Sequence, residues 1–534
     1  MMNSIDCGLK NYIQPFERDL ALAELASLAK VSPRLASEHT MTVSVTTEAE
    51  AKDLAAHLSY FESIRQGEVR LATRQVLREA TLYVARNGIP IPDIKKQLPV
   101  REGGQLPNRR CLRYGTHGIH EYRGKFFPQL VRSLINVARV APGGIVADPM
   151  CGSGTTLVEA ALTPCKGVGL DMNPLSVFMT NVKCSLLTVS PDMLANQYHE
   201  VRDDLLESRP RPITRRLSYL KALPDHDQAY LKEWFSIQVL EDLDTVATRI
   251  GEVQDTVIRD FMRLSLSNII RKVSWQKDED LRIRKEIRAD VEIDPIREFL
   301  EELGRSVRIV VAFLYQIQGA DVGQAKATEG DARSAVQAWA DLCGKVDAVI
   351  TSPPYATALP YLDTDRLSLS YLGLLPRSSH RSKDKEMIGN REITEGIRKS
   401  YIARLKKEGK ALPKSVVRLI GKIDLLNTGS EAGFRRKNLP ALLTKYFLDM
   451  REVLAGIAYL LKPGAPAFVV VGDNHTIAGG RRVEIETAGL LAEIADAVGL
   501  KQGKHLPMDM LVSRDIFKKN AVASETILEF RKPV

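Results

Sequence analysis

The sequence predicts an α/β fold with a mostly parallel sheet, interrupted by a large helical insertion and by a basic insertion. The sheet is predicted by short apolar stretches bounded by turn formers, as in buried parallel strands, at 144–147, 167–170, 346–350 and 467–471. The helical insertion is predicted by residues 184–325, whose apolar spacing is almost wholly helical. The basic insertion is predicted at 377–440, which contains 17 Lys or Arg and 7 Asp or Glu.

Composition narrows the class of protein. The 534 residues are 44% hydrophobic and 26% charged, as in an ordinary water-soluble globular protein with a sizeable core. No apolar run reaches the length of a membrane span, and the first residues lack signal-peptide features, so a cytoplasmic protein is expected. Six scattered cysteines without a C-x-x-C pair favour neither a zinc site nor disulfides, and no metal is expected. The net charge of +9, which the basic insertion alone accounts for, favours a polyanionic partner.

The stretch after the strand 346–350 carries the most specific chemistry. Pro353 and Pro354 cannot continue a strand, so the chain must turn away at the carboxyl end of the sheet, where open α/β sheets bind ligands. Ser352 offers a hydroxyl, Pro353 a carbonyl oxygen and Tyr355 a flat aromatic face. Acceptors for an amino group beside a stacking surface suit a planar nucleobase.

A glycine-rich turn follows the first strand of the sheet. Small residues let the backbone approach a ligand closely, and the helix that follows supplies unpaired N–H groups. The turn lacks the Gly-Lys-Ser/Thr of a P-loop, and Leu157 replaces the third glycine of the dinucleotide fingerprint. Its residues are Asp148, Pro149, Met150, Cys151, Gly152, Ser153, Gly154 and Thr155.

Three further segments complete a pattern around this turn. Asp171 closes the next strand, followed by Met172 and Asn173, and is placed to accept hydrogen bonds from two ribose hydroxyls. Asp331 and Ala332 follow the third predicted strand. Upstream of the turn, a basic and aromatic helix entry offers a cation for a carboxylate and rings for an apolar slot. Its residues of interest are Tyr122, Lys125 and Phe126.

In this order the segments resemble motifs X, I, II, III and IV of the amino-group DNA methyltransferases, in their Ser-Pro-Pro-Tyr form. The resemblance covers about half the chain and implies a Rossmann-like sheet that binds S-adenosylmethionine (AdoMet). It assigns cofactor contacts to residues 122–126, 148–155, 171–173 and 331–332, with Asp331 on the adenine. It also implies that Ser352, Pro353, Pro354 and Tyr355 act on a base flipped out of double-stranded DNA, and that the product is N4-methylcytosine.

The resemblance suggests six regions. They are an N-terminal accessory region (1–110), three core parts (111–183, 326–376 and 441–534), the helical insertion (184–325) and the basic insertion (377–440). Because the basic insertion follows the base-binding motif, we expect it to contact DNA phosphates, with Arg435, Arg436 and Lys437 as its densest cluster.

Several alternatives stay open. Many Ser-Pro-Pro-Tyr enzymes place motif IV before motif I, whereas Asp148 precedes Ser352 here, so adenine-N6 is an alternative target. An RNA or tRNA amino-group methyltransferase is a second alternative, and a methyltransferase for proteins or small molecules is a third. A DNA-binding subunit with an inactive site is the non-enzymatic alternative. The resemblance also admits a cognate restriction endonuclease as a partner.

Overall fold

A computed structural model of the chain describes residues 3–86, 88–101, 103–122, 124, 126–207, 217–277, 284–287, 292–356, 361–390, 393–428, 433–509 and 524–534. Among these residues, no helix combines the length and the apolar composition that crossing a membrane requires.

The N-terminal region forms a small antiparallel sheet with helices. Its elements are β1 (Asn3–Leu9), α1 (Pro15–Ala29), β2 (Arg34–Ser37), β3 (Thr40–Val45), α2 (Glu48–His57), β4 (Phe61–Gln66), β5 (Val69–Ala72), α3 (Arg74–Arg86) and α4 (Ile91–Ile94). The strands pair in the order β2-β3-β1-β4-β5. The alternation of apolar and polar residues at 41–45 is typical of a half-buried strand. Strand β1 pairs with β3 and β4 across tens of residues, whereas β2 with β3 and β4 with β5 form local hairpins.

The first part of the central sheet contains the glycine-rich turn, and a helical region follows it. The sheet elements are α5 (Pro128–Ala138), β6 (Ile145–Asp148), α6 (Thr155–Leu162), β7 (Lys166–Asp171) and α7 (Pro174–Ser185). The helices that follow are α8 (Pro191–Glu207), α9 (Ser218–Ala222), α10 (Asp225–Trp234), α11 (Ile237–Gly251), α12 (Thr256–Val273) and α13 (Pro295–Ile317).

The rest of the chain completes the sheet around the basic segment. Its elements are β8 (Ala325–Glu329), α14 (Ala335–Ala338), β9 (Ala348–Thr351), α15 (Tyr361–Tyr371), α16 (Arg377–Glu386), α17 (Glu395–Glu408), α18 (Lys414–Leu426), α19 (Phe434–Leu460), β10 (Pro466–Gly472), β11 (Asn474–Ala478), β12 (Arg481–Ile485), α20 (Thr487–Ala497), β13 (Lys501–Asp509) and β14 (Ser524–Arg531). Helix α19 crosses the boundary predicted at 440, and the division into six regions stays a prediction.

The central sheet has seven strands in the order β13-β14-β10-β9-β6-β7-β8. Strands β8, β7, β6, β9 and β10 are parallel, and β14 is antiparallel to both of its neighbours. This is the Rossmann-like sheet that the sequence predicted, with an antiparallel strand near one edge. The crossovers place the carboxyl ends of β6, β7, β8 and β9 along one edge.

Both faces of this sheet are covered, which explains its continuous apolar strands. On β10, Val469 and Val471 pack into a cluster with α19 and α20, while Phe468 and Val470 pack toward α5 and the N-terminal sheet. The alternation follows from the two-residue period of a strand. The helices α8 to α13 share a further cluster with α6 and α7. The sheet is therefore held rigidly from both sides, and its carboxyl edge is a firm base for a site.

Candidate active site at the carboxyl edge of the sheet

Asp148 joins the two motifs that the sequence placed at the carboxyl edge. It ends β6, between β7 and β9, and only 3% of it is exposed. Its Oδ1 accepts hydrogen bonds from Thr351 Oγ1 at 2.7 Å and from the Met150 N–H at 3.1 Å. Thr351 is the last residue of β9 and precedes Ser352. The glycine-rich turn and the Ser-Pro-Pro-Tyr turn are thus tied together through one buried carboxyl.

The glycine-rich turn has a backbone shape that requires glycine. Gly154 has φ of +79°, and a Cβ there would lie 2.6 Å from Thr180 Oγ1. A Cβ on Gly152, whose φ is +49°, would lie 3.1 Å from the Tyr122 ring. Buried Lys183 donates a hydrogen bond to the Ser153 carbonyl at 2.8 Å. The turn is therefore held against α7 on one side and against Tyr122 on the other.

Asp171 ends β7 and orients the same turn. Its Oδ2 accepts a hydrogen bond from the Gly152 N–H and its Oδ1 one from the Asn173 N–H, both at 2.8 Å. Each carboxylate oxygen has a second lone pair, and the side chain is partly exposed, so it can accept further hydrogen bonds from a ligand. Burial raises the pKa of Asp171 to about 6, although the two backbone hydrogen bonds and the charge of Lys383 act to lower it. Burial likewise raises the pKa of Asp148 to about 6.

The Ser-Pro-Pro-Tyr turn leaves the sheet directly beside these acids. Ser352, Pro354 and Tyr355 are partly exposed, and Pro353 is buried. The Tyr355 hydroxyl donates a hydrogen bond to Glu525 Oε1 on β14. Burial raises the pKa of Glu525, against the hydrogen bond from Tyr355. The ring of Tyr355 is therefore anchored at its hydroxyl end, which leaves the orientation of the ring little freedom.

Known proteins are similar to this chain in sequence. A family model described as RMKL-like, methyltransferase domain matches residues 120–183, from the turn before α5 to α7. The Type II methyltransferase M.MvaI of Kocuria varians is 24% identical over 391 residues, which are 71% of this chain and 80% of that protein. The Type II methyltransferase M.BsoBI of Geobacillus stearothermophilus is 24% identical over 438 residues, 76% of this chain and 84% of that protein. The chain is thus similar to methyltransferases over most of its length, and these matches support methyl transfer from AdoMet as its activity.

One shorter match concerns an RNA enzyme. The tRNA (guanine(10)-N2)-dimethyltransferase of Methanocaldococcus jannaschii is 46% identical over 50 residues, which are 9% of this chain and 14% of that protein.

The residues at this edge fit AdoMet as a cofactor. The glycine positions 152 and 154 keep side chains away from the carboxyl edge of the sheet, and Asp171 keeps acceptor capacity there. Met172 is partly exposed beside it. Asn173 is buried, caps α7 through the Leu175 N–H at 3.1 Å, and donates a hydrogen bond to Asp365 on α15 at 2.9 Å. Asn173 therefore links the turn after β7 to α15.

The predicted adenine acceptor of the methyltransferase has an unexpected partner. Both oxygens of Asp331 lie 3.0 Å from Arg333 Nε, and Arg333 also bonds Asp449 Oδ1 at 3.0 Å and the Glu386 carbonyl at 2.9 Å. Arg333 thus links the end of β8 to α16 and α19. This ion pair occupies part of the acceptor capacity of Asp331, and the neighbouring Ala332 is buried.

The upstream segment is divided between two clusters. Tyr122 packs against the glycine-rich turn and the cluster of α6 and α7, whereas Phe126 packs toward α5 and the N-terminal sheet. The two rings therefore lie against different parts of the core. Lys125, predicted to meet a carboxylate, lies outside the described residues.

The basic cluster 435–437 (Arg435, Arg436 and Lys437) forms the first turn of α19, and all three residues are exposed. Cations at a helix N-terminus oppose the helix dipole, so helix stability does not explain them.

The sequence analysis missed Lys183, Arg333 and Glu525. The only signal in the sequence was their charge within otherwise apolar segments, which identifies buried charges but not their partners.

Proposed function

We propose that the protein transfers the methyl group of AdoMet to the exocyclic N4 of a cytosine flipped out of double-stranded DNA. The observation that carries the proposal is the hydrogen bond from Thr351 to Asp148, which holds the Ser-Pro-Pro-Tyr turn next to the cofactor turn. The Type II methyltransferases that cover most of the chain support DNA as the substrate.

The residues of the turn have separate roles in this proposal. Bound AdoMet supplies a methyl group on a positively charged sulfur. Ser352 Oγ and the Pro353 carbonyl accept hydrogen bonds from the amine of the base, whose lone pair is otherwise delocalised into the ring. These contacts strengthen as the amine develops positive charge, so they lower the barrier rather than merely bind. Pro354 holds the turn away from the sheet. The remaining rate acceleration comes from holding the amine in line with the methyl group.

Tyr355 replaces the base stacking that is lost on flipping. Stacking on an aromatic side chain contributes about 1–3 kcal/mol per base. Glu525 holds the hydroxyl of this ring from β14, so the stacking surface is prepared before the base arrives. Neither a metal nor a covalent intermediate is needed for this scheme.

The cofactor assignments belong to the same proposal. Asp171 accepts the ribose hydroxyls, Asp331 the adenine amino group, and the turn 148–155 surrounds the methionine part together with Tyr122, Lys125 and Phe126. The basic cluster 435–437 contacts DNA phosphates. A cognate restriction endonuclease and a cytoplasmic location stay predictions.

The test is a transfer assay with AdoMet carrying an isotopically labelled methyl group. Unmethylated duplex DNA and cellular RNA are incubated separately with the protein, and their nucleosides are analysed by mass spectrometry. The expected product is labelled N4-methylcytosine in DNA, with Ser352→Ala as the low-activity control. Label only in N6-methyladenine would contradict the cytosine assignment.

The second candidate is an RNA amino-group methyltransferase. The 50-residue match to a tRNA (guanine(10)-N2)-dimethyltransferase favours it, although that match covers only 9% of the chain. The RNA arm of the assay separates the two, because label in RNA alone would establish this candidate in place of the first.

A further inference from the structure

A basic cavity of about 430 Å³ lies between α2, β5, α3 and the residues 316–320 at the end of α13. Arg78, which lines it, donates a hydrogen bond to the carbonyl of Leu162 at 3.2 Å. Leu162 ends α6 and β7 begins at Lys166, so this is the amino edge of the central sheet. The methyl-transfer site lies at the carboxyl edge. The cavity is therefore separate from it.

Arg78 is a buried cation with unused donors. Only 1% of it is exposed, and its Nε and Nη1 have no hydrogen-bond partner among the residues that the structure describes. Burial and the charge of Arg132 lower the pKa of Arg78 to about 9, although the charge of Glu159 acts to raise it. The guanidinium thus stays charged at neutral pH. A buried charge without acceptors is costly, so an anion in the cavity would stabilise it.

The surrounding charges add to this positive field. Arg74 precedes Arg78 by one helical turn on the same face of α3, is exposed and also lines the cavity. Lys52 stands on α2 at the cavity wall, where its ion pair with Glu48 is exposed on both sides. Arg132 lies behind Arg78, 3.3 Å from its partner Glu159. These arginines repel one another, so packing alone does not account for the cluster.

Much of the remaining wall is apolar. Alanine and leucine side chains from α2, β5 and α3 line it together with Ile317, while Gln316 and Gln318 add polar groups at the end of α13. The volume falls within the range of about 300–1,000 Å³ that holds small ligands in proteins. A cavity with two arginines at one side and an apolar wall at the other suits an anion with a small organic body. Arginine forks match the oxygen geometry of phosphate.

We propose that this cavity binds a small molecule carrying a phosphate group, with Arg78 and Arg74 as the phosphate ligands. The proposal does not depend on which base the enzyme methylates. It adds a ligand site in the interface between the N-terminal region and the helical region.

The experiment measures the thermal unfolding of the full chain against added ligand. The probes are inorganic phosphate and adenosine monophosphate (AMP), with chloride at matched ionic strength as the reference. A ligand that binds only the folded state raises the unfolding temperature in a saturable way. We expect this rise with phosphate, and a lower half-saturating concentration with AMP, because its body occupies the apolar wall.

Three variants locate the effect. Arg74→Gln and Arg78→Met should raise the half-saturating concentration of AMP by about tenfold or more, as expected for the loss of a hydrogen bond to a charged group. Arg86→Gln removes an exposed charge from the same helix outside the cavity and should respond as the wild type does. If Arg78→Met does not fold, the half-saturating concentration of AMP for Arg74→Gln alone tests the site.

Two results would overturn the proposal. One is the absence of a saturable rise in the wild type. The other is an equal rise in Arg74→Gln, which would place the binding elsewhere. Duplex DNA tests whether the phosphate comes from a nucleic-acid backbone. If Arg74→Gln lowers the affinity for DNA while AMP does not raise the unfolding temperature of the wild type, the cavity is a nucleic-acid contact and not a small-molecule site.

Discussion

Asp171→Asn is the sharpest perturbation of the cofactor site. In the wild type, the Gly152 and Asn173 N–H groups each use one lone pair of the carboxylate at 2.8 Å, and the others remain for the ribose hydroxyls. Asparagine keeps one acceptor oxygen, and its NH2 group replaces the other oxygen with two N–H donors that cannot accept a hydrogen bond. We expect AdoMet affinity to fall by about 1.5–3 kcal/mol, the value of hydrogen bonds to a charged group, or about 10- to 100-fold.

The pH dependence tests the same assignment without a mutation. Because the pKa of Asp171 is about 6, the carboxylate is largely ionised at pH 7 and largely protonated at pH 5. If only the carboxylate accepts the ribose hydroxyls, AdoMet affinity falls by about tenfold from pH 7 to pH 5. The effect on stability has the opposite sign: a raised carboxyl pKa stabilises the fold at low pH, and this contribution is lost as the pH rises through about 6.

Isothermal titration calorimetry between pH 5 and pH 7.5 measures how the substitution and the pH change AdoMet affinity. Asp148 also titrates near pH 6, so the difference between wild type and Asp171→Asn isolates the part due to Asp171. Asp496→Asn, an exposed carboxyl on α20, is the matched control and should bind AdoMet as the wild type does. Equal affinity, or an equal slope with pH, in wild type and Asp171→Asn would refute the ribose assignment.

Three further predictions concern the substrate. Ser352→Ala should leave the AdoMet dissociation constant unchanged and lower kcat by about tenfold, the value of one hydrogen bond, in single-turnover assays; a change in AdoMet binding alone would contradict it. Tyr355→Ala should raise the KM for DNA by about tenfold through lost stacking, whereas Tyr355→Phe, which loses the bond to Glu525 but keeps the ring, should keep most of that affinity; equal defects would exclude stacking. Replacing all three cations of the cluster 435–437 by Gln should reduce the slope of log K against log salt by about 3, and an unchanged slope would make the cluster a solvated helix end.

The parts of the fold that the sequence predicted are those with local signals. The strands β6, β7, β9 and β10 are continuous apolar stretches because both faces of the sheet are covered. Asp148 and Asp171 follow two adjacent parallel strands, so their place at one edge followed from the rule that carboxyl ends of such strands lie together. The glycines at 152 and 154 carried a backbone signal that the positive φ angles explain.

The N-terminal sheet shows where local signals fail. β2 is exposed along its whole length, so it lacks the alternation by which a half-buried strand is predicted. It pairs with β3 in a local hairpin, whereas β1 pairs with β3 and β4 across tens of residues. The stability of a strand such as β1 comes from partners distant in the chain, which propensity within a short window does not contain.

Glu525 shows the same limit inside the active site. The stretch 526–530 has the composition of a strand, but its composition does not give the register, and the register decides which residue reaches the site. In the structure Glu525 pairs with Gly472 at the carboxyl end of β10. A shift of one residue would turn every side chain of β14 to the other face and bring Thr526 into this place. The alternation of Ile527, Leu528 and Phe530 between the two covered faces sets the register, so the packing of the core positions the carboxyl that anchors Tyr355.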